Sequence, residues 1–304
     1  MSVSTLPLAP ETTTVSGPGA YAAATLPAPA ACAGSAPGDP VRFLLGTHQP
    51  HWLATAEVSL FISDRRLRHY RTLPHARRSW ALDSGAFTTL SLGHQFDPPA
   101  VYLARVRRYR DSIGHLLWAA PQDWMCEPFI LAKTGLAVAE HQRRTVANYL
   151  QLREHAPDLP IVPVVQGWTL ADYLHCADLY QAAGVDLTSA PLVGVGSVCR
   201  RQGTTDVYAI LAALHRAGIT RLHGFGVKTL GLRRYGHLLT SADSMAWSAA
   251  ARRQPPLPGC TGHINCANCP RYAYRWRQHV IDHIRTPPAA VQSALFDLPP
   301  AEVI

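Results

Sequence analysis

Residues 161–197 read IVPVVQGWTLADYLHCADLYQAAGVDLTSAPLVGVGS, and this stretch decides the fold. An apolar run from Ile161 to Val165 breaks off at the polar Gln166. Thr169 and Asp172 then stand at capping-box spacing, and Leu170, Tyr173, Ala177 and Tyr180 follow on one helical face until Gly184 stops the helix. A second apolar run, Leu192 to Val195, comes next, punctuated by Gly194 and Gly196. Strand, helix, glycine, strand is the pattern of a parallel crossover unit. The following unit repeats it: a helix from about Asp206 ends at Gly218, so that AAGVDL and RAGITRL read as equivalent helix-to-strand turns.

Outward from this pair the same alternation gives eight candidate strands. They are Val41 to Leu45, Val58 to Ile62, Trp80 to Leu82, Leu116 to Ala120, Ile161 to Val165, Leu192 to Val195, Leu222 to Phe225 and Ser244 to Trp247. Asp97 is expected to cap a helix opened by Pro98, with Tyr102, Val106, Tyr109 and Ile113 on its buried face and Arg105, Arg107, Arg108 and Arg110 off it. Eight such units predict an α/β chain folded as a (β/α)8 TIM-type barrel, with a doubly wound open sheet as the alternative. Residues 1–39 are mostly Ala, Pro, Thr, Ser and Gly and are expected to form a disordered tail, as are residues 287–304 after Pro287 and Pro288. The remaining 40–286 make one domain, close to the ~250 residues typical of such barrels.

The composition narrows the function. The chain has 304 residues, 47% apolar and 16% charged, which excludes collagen, a coiled coil and a wholly disordered protein. No window approaches 18 uninterrupted apolar residues and the N-terminus lacks a secretory pattern, so a soluble, cytoplasmic, nucleoid-associated protein without membrane contact is expected. The net charge is +8, and of the 28 basic residues all but Lys133 and Lys228 are Arg. Guanidinium forks suit phosphate and base edges, which makes nucleic acid the leading partner class; a coding bias toward Arg is the plainer explanation.

In parallel α/β folds the site is built where strands end, so apolar runs that turn polar are informative. Asp83 follows the third run, Asp123 the fourth, Gln166 the fifth, Gly194 and Gly196 punctuate the sixth, and Asp243 lies at the eighth. Each alone reads more readily as a helix cap or turn residue. Together they would converge on one rim, where two carboxylates fit chemistry in which one attacks carbon and the other moves a proton.

The motifs LDSGAF, PQDW, VVQGW, VGVGS and SADSM, followed by a cysteine cluster, resemble the tRNA-guanine transglycosylase superfamily in order and spacing. THQPHWL (47–53), APQDWMCEP, EHQRRT, VQGWTL, GVGSVCRR, GFGVKT and CANC are most similar to its DNA-directed branch, the DpdA (deoxypurine in DNA protein A) family of 7-deazaguanine DNA transglycosylases. The resemblance spans about residues 41–280. It implies a pentosyltransferase that exchanges guanine in DNA for a 7-deazaguanine base such as 7-cyano-7-deazaguanine, through a covalent aspartyl intermediate. Asp243 is implied as nucleophile, Asp83 as general acid/base, and Asp123 as reader of the purine edge. Gln166 and the Gly194 backbone would assist, with Ser84 and Gly85 completing the substrate set. Arg200, Arg201, Lys228, Arg233 and Arg234 are candidates for backbone contacts, or are ordinary solvated charges. Exchange on tRNA is the runner-up, and a zinc-stabilised nucleic-acid-binding barrel without catalysis the alternative of another class. Ala86 replaces the second glycine of the usual pattern and Thr88 stands at its Gln position.

Cys260-x2-His263-x2-Cys266-x2-Cys269 is the densest local signal. Three thiolates and an imidazole suit a closed, structural Zn2+ site. The resemblance implies a downstream histidine as fourth ligand, so His279 and His283 compete with His263. Cys126, Cys176 and Cys199 read as buried apolar residues, and His48 and His51 beside Trp52 as packing residues. Helicase or ATPase partners are possible companions. Gln292, Leu295 and Phe296 resemble a short sliding-clamp docking peptide.

Overall fold

A computed structural model describes residues 41–285 except Gln202. The expectations for both tails, and for the clamp-like segment at Gln292, Leu295 and Phe296, lie outside the described residues. Eight strands form one sheet: β1 (Arg42–Gly46), β2 (Leu60–Ser63), β3 (Trp80–Asp83), β4 (Leu116–Ala119), β5 (Val164–Val165), β6 (Val193–Val195), β7 (Leu222–Gly224) and β8 (Ser241–Ser244). The helices are α1 (Asp64–Leu67), α2 (Ala86–Ser91), α3 (Pro99–Ile113), α4 (Pro128–Thr134), α5 (Val138–His155), α6 (Leu170–Ala182), α7 (Thr205–Arg216), α8 (Thr229–Tyr235), α9 (Ala246–Ala251) and α10 (Pro270–Arg285).

Every strand pair is parallel, and the order is β4-β3-β2-β1-β8-β7-β6-β5. Each strand therefore lies beside its neighbour in sequence, and the first lies beside the last. A doubly wound sheet would instead reverse its order at a switch point. The sheet curls until β4 meets the approach to β5 through a parallel bridge, Ala119↔Ile161. Pro160 and Pro163 interrupt that approach, because neither has an N–H for the ladder, which is why only two residues of the predicted fifth strand pair regularly.

Away from β8 and His223 both faces of the sheet are largely apolar, as burial from both sides requires. Leu44, Phe61, Ala81, Trp118 and Leu192 pack against one another with Phe225 at their side. The larger cluster fills the space between sheet and helices, with Tyr102, Val106, Tyr109 and Ile113 of α3 in it as expected. On α6 the capping box of Thr169 and Asp172 is formed, and Gly184 and Gly218 end their helices with φ of 80° and 84°. The Tyr180 hydroxyl donates to the Val164 carbonyl at 3.0 Å and that of Tyr173 to the Gly196 carbonyl at 2.7 Å, so α6 stitches β5 to the end of β6.

Two expectations are corrected. The eighth strand is Ser241–Ser244 and not Ser244 to Trp247, because the latter stretch opens α9. Its polar sequence hides a strand that is buried throughout. Asp97 caps nothing: α3 begins at Pro99 with Pro98 in the cap position, and Asp97 accepts from Arg105 Nη2 at 2.8 Å. Arg105 also grips the buried Asp64 through two hydrogen bonds of 2.8 and 2.9 Å, while the Tyr109 hydroxyl donates to the same carboxylate at 2.8 Å. No helix among the described residues is long and apolar enough to cross a membrane.

Removing Asp64 leaves the Tyr109 hydroxyl without this partner and the Arg105 guanidinium with Asp97 alone, between α1 and α3. Asp64→Ala is expected to cost about 3–5 kcal/mol of unfolding free energy, read as a lowered midpoint in guanidinium denaturation.

Candidate active site

Asp83 ends β3, Asp123 follows β4, Gln166 follows β5, Gly196 follows β6 and Asp243 sits on β8. All five line one cavity of about 210 Å³, walled by Phe61, Phe87 and Phe225. Parallel pairing sets the heights: Ser63 pairs with Asp83, and Leu44 with Asp243.

Asp243 is held by one oxygen. Its Oδ1 accepts from the Gly226 amide at 2.9 Å and lies 3.3 Å from His223 Nε2. On the other side of the ring, His223 Nδ1 lies 2.8 Å from the Ser241 hydroxyl. With Asp243 ionised, Nε2 carries the hydrogen and Nδ1 accepts from Ser241, which fixes one tautomer. His223 is fully buried, with ring centroids of Trp118 and Phe225 at 4.6 and 4.8 Å. Across the cavity Asp83 accepts from the Ser63 hydroxyl and the Gly85 amide, yet burial pushes its carboxyl above the ordinary range, and the charges of Asp243 and Asp64 add to the effect.

A second chain of groups crosses the cavity wall. Gln166 Nε2 donates to Asp123 Oδ2 at 2.5 Å, and Gln166 Oε1 accepts from the Ser197 hydroxyl at 2.8 Å. The Ser197 oxygen accepts from the Cys126 amide at 2.9 Å and lies 2.9 Å from Glu127 Oε2. The Ser197 hydroxyl thus faces two acceptors, Gln166 Oε1 and Glu127 Oε2. Burial pushes the Glu127 carboxyl above its ordinary range, with the Ser197 hydrogen bond and the charges of Arg200 and Arg201 opposing. Burial also pushes Asp123 up to about 7, with the charges of Asp83 and Glu127 adding and the Gln166 hydrogen bond opposing. Gly196 is required here, since a Cβ would run into the Gln166 amide, and Ser197 takes a left-handed φ of 55° to enter the network.

The loops that carry this network are braced by α5. Gln142 Nε2 donates to the Gln166 and Asp172 carbonyls at 2.8 and 2.6 Å, His141 Nδ1 lies 2.6 Å from the Met125 carbonyl, and the Thr145 hydroxyl accepts from the Trp124 amide at 2.8 Å. The EHQRRT motif thus acts from behind the site. The remaining predicted residues divide. Gly194 does not line the cavity: it lies within β6, where a Cβ would strike Phe225 and Val164, and Gly196 takes the place expected of it. Ser84 and Gly85 form the turn after β3, Gly85 with φ of 78° at the start of α2. Arg200 lies over Phe129 and Arg201 over Trp168. Lys228 precedes α8, and Arg233 and Arg234 are exposed on its last turn, where Arg234 engages the Gly203 carbonyl. Cys126 and Cys176 are buried as expected, whereas Cys199 lines the cavity. His48 stacks on Trp247 with centroids 6.0 Å apart. His223, Glu127 and Ser197 are the members that sequence reasoning missed.

Cys260, His263, Cys266 and Cys269 bring their ligand atoms within 4.8 Å of one another. The Sγ atoms of Cys260 and Cys269 are 3.9 Å apart, and His263 Nε2 is 3.2 Å from Cys266 Sγ. Tetrahedral zinc with bonds of ~2.3 Å places sulfurs about 3.8 Å apart, so the donor set fits such a metal. The Leu257 amide and Arg271 Nη1 donate to the sulfurs of Cys266 and Cys260, as donors around thiolates do. His279 and His283 pair with each other on α10, ring centroids 4.0 Å apart, and His263 alone of the three histidines joins the thiols.

A family model described as DpdA, DeoxyPurine in DNA protein A, matches residues 41–297. No curated protein matches the chain. Among solved structures, a variant carboxyl transferase domain of Rhizobium etli pyruvate carboxylase with pyruvate is similar at 13% identity and a TM-score of 0.31. The match covers 81% of this chain and 51% of that one, so the chain spans about half its length.

Purified protein is expected to carry one equivalent of zinc by elemental analysis, and Cys266→Ser to lose it together with thermal stability. For Asp123 the sign follows from a raised carboxyl. The folded state keeps its proton up to about pH 7, so the stability this provides is lost as pH rises from about 4 to 7. Asp123→Asn is therefore expected to match wild type near pH 4 and to exceed it by up to about 4 kcal/mol at pH 8 in denaturant titrations.

Proposed function

The chain belongs to the DpdA family, DeoxyPurine in DNA protein A, and from that premise we propose that it exchanges guanine in DNA for a 7-deazaguanine base. One observation carries the reading: Asp83 and Asp243 face a single cavity whose adjoining wall holds Asp123 and Gln166. Residues 40–286 would form one (β/α)8 barrel with its structural metal site, closed at the β4–β5 bridge.

The Oδ2 of Asp243, left free by the contacts on Oδ1, would attack C1′ of the target nucleotide as its bond to N9 breaks. The bonding pair leaves with the base, and the raised carboxyl of Asp83 supplies the proton that neutralises it. The incoming deazaguanine would return its N9 proton to Asp83 and displace Asp243, restoring a glycosidic bond. No nucleotide is consumed in the exchange. An ionised Asp123 would accept from the N–H groups of the guanine edge, so base binding and Asp123 deprotonation are coupled. Because C1′ is shielded in a duplex, the target must be flipped out or already unpaired, at a cost of a few kcal/mol that Arg–phosphate contacts or partner proteins that open DNA would offset. The metal, when bound at Cys260, His263, Cys266 and Cys269, would stabilise the fold and take no part in the exchange.

The test is nucleoside mass spectrometry of DNA and tRNA from cells that make 7-cyano-7-deazaguanine and express the full chain. A deazaguanine deoxynucleoside is expected with wild type and absent with Asp243→Asn. Asp83→Asn should slow exchange by about 10²- to 10⁴-fold in a purified assay. Modified tRNA alone would move the substrate to RNA, and no product beside unchanged DNA affinity would favour the non-catalytic barrel.

A further inference from the structure

The cavity mouth carries a second chemistry that exchange at C1′ does not use. Phe87 of α2 and Phe129 of α4 meet edge to face with centroids 5.9 Å apart, and the Arg200 guanidinium lies 5.2 and 4.6 Å from them. Arg201 lies 4.3 Å over Trp168. Arg144 lies 4.5 Å over Trp124, whose ring meets Phe96 edge-on at 5.4 Å. These rings stand on the segments leaving β3, β4 and β5. Phe87 itself lines the cavity, Trp124 adjoins Asp123, and Trp168 comes two residues after Gln166. Phe129 keeps 40% of its surface exposed, more than core packing would leave.

We propose that this rim is a stacking platform for the unpaired nucleotides on either side of the target, so that the protein takes its DNA as a single strand or an opened bubble. The inference rests on the proposed reading that a target base enters the cavity. A base that swings out leaves neighbours without a stacking partner, and every base offers a flat face to an aromatic ring or a guanidinium whatever its identity. The same guanidinium groups bring positive charge to the phosphates, so each ring–arginine pair answers both parts of a nucleotide. An intact duplex would present its phosphates but not its base faces, and the rings would go unused.

Fluorescence anisotropy of the full chain with a labelled single strand, and with the same sequence as a duplex, tests the proposal. Wild type is expected to favour the single strand. Phe129→Ala should weaken single-strand binding by about tenfold, in the range of one base–ring stack, while leaving duplex binding and the salt dependence unchanged. Phe129→Trp should restore the affinity. Arg200→Ala should weaken both and lower the slope of log affinity against log salt by about 1. Equal wild-type affinity for both forms, no effect of Phe129→Ala on the single strand, or an equal loss on both forms would overturn the stacking rim while leaving base exchange standing. Failure of wild type to bind either form would overturn the nucleic-acid reading itself.

Discussion

A parallel strand buried on both faces has little room for a charge that is not paired, so most of its polar groups stand where it ends. In this chain that constraint gathers the polar groups: Asp83, Asp123, Gln166 and Gly196 each appear where an apolar run stops, and curling the sheet brings those ends to one cavity. It also sets their electrostatics. The walls are Phe61, Phe87 and Phe225, so the carboxyls share a poorly solvated space and hold their protons beyond the ordinary range at Asp83 and Asp123. Asp243 meets the same surroundings with an amide and an imidazole aimed at a single oxygen.

The rest of the molecule keeps those groups still. Helix α5 reaches behind the β4 and β5 loops with Gln142, His141 and Thr145, and α6 ties β5 to β6 through two tyrosine hydroxyls. At the other edge of the site, the Trp247 indole donates to the Gly46 carbonyl, and the Ser248 hydroxyl to the Ala267 carbonyl inside the cysteine cluster. The cluster is therefore linked to the helix that directly follows the strand bearing Asp243, and so joined to the cavity by a short length of chain.

Much of this was legible in the sequence because strand burial and helix capping leave period and punctuation. The capping box at Thr169, the glycine stops at Gly184 and Gly218 and the buried face of α3 stand as read. What escaped has a physical reason in each case. Strand β8 reads SADS because its buried side chains serve the site, so it carries no apolar run. His223 lies in an apolar run where a satisfied core histidine looks the same on paper; only the pairing of β7 with β8, His223 against Ser241, points it at Asp243. Gly194 and Gly196 are equivalent in a one-dimensional reading, and strand alternation alone does not say which lies past the end of β6. The Arg–aromatic stacks join residues from different loops and leave no periodic trace.

The closure between β4 and β5 differs from the other seams. Elsewhere neighbouring strands share two to four paired residues, whereas here one bridge at Ala119 and Ile161 joins the edges. The hydrogen bonds from Gln166 to Asp123, and from the Cys126 amide to Ser197, span the same gap above it. The sheet is a split ring, paired over four residues along β1 and β8 and by one bridge at its opening, with side-chain hydrogen bonds as its clasp. The polar groups that line the cavity are therefore also the groups that hold the two edges of the sheet together.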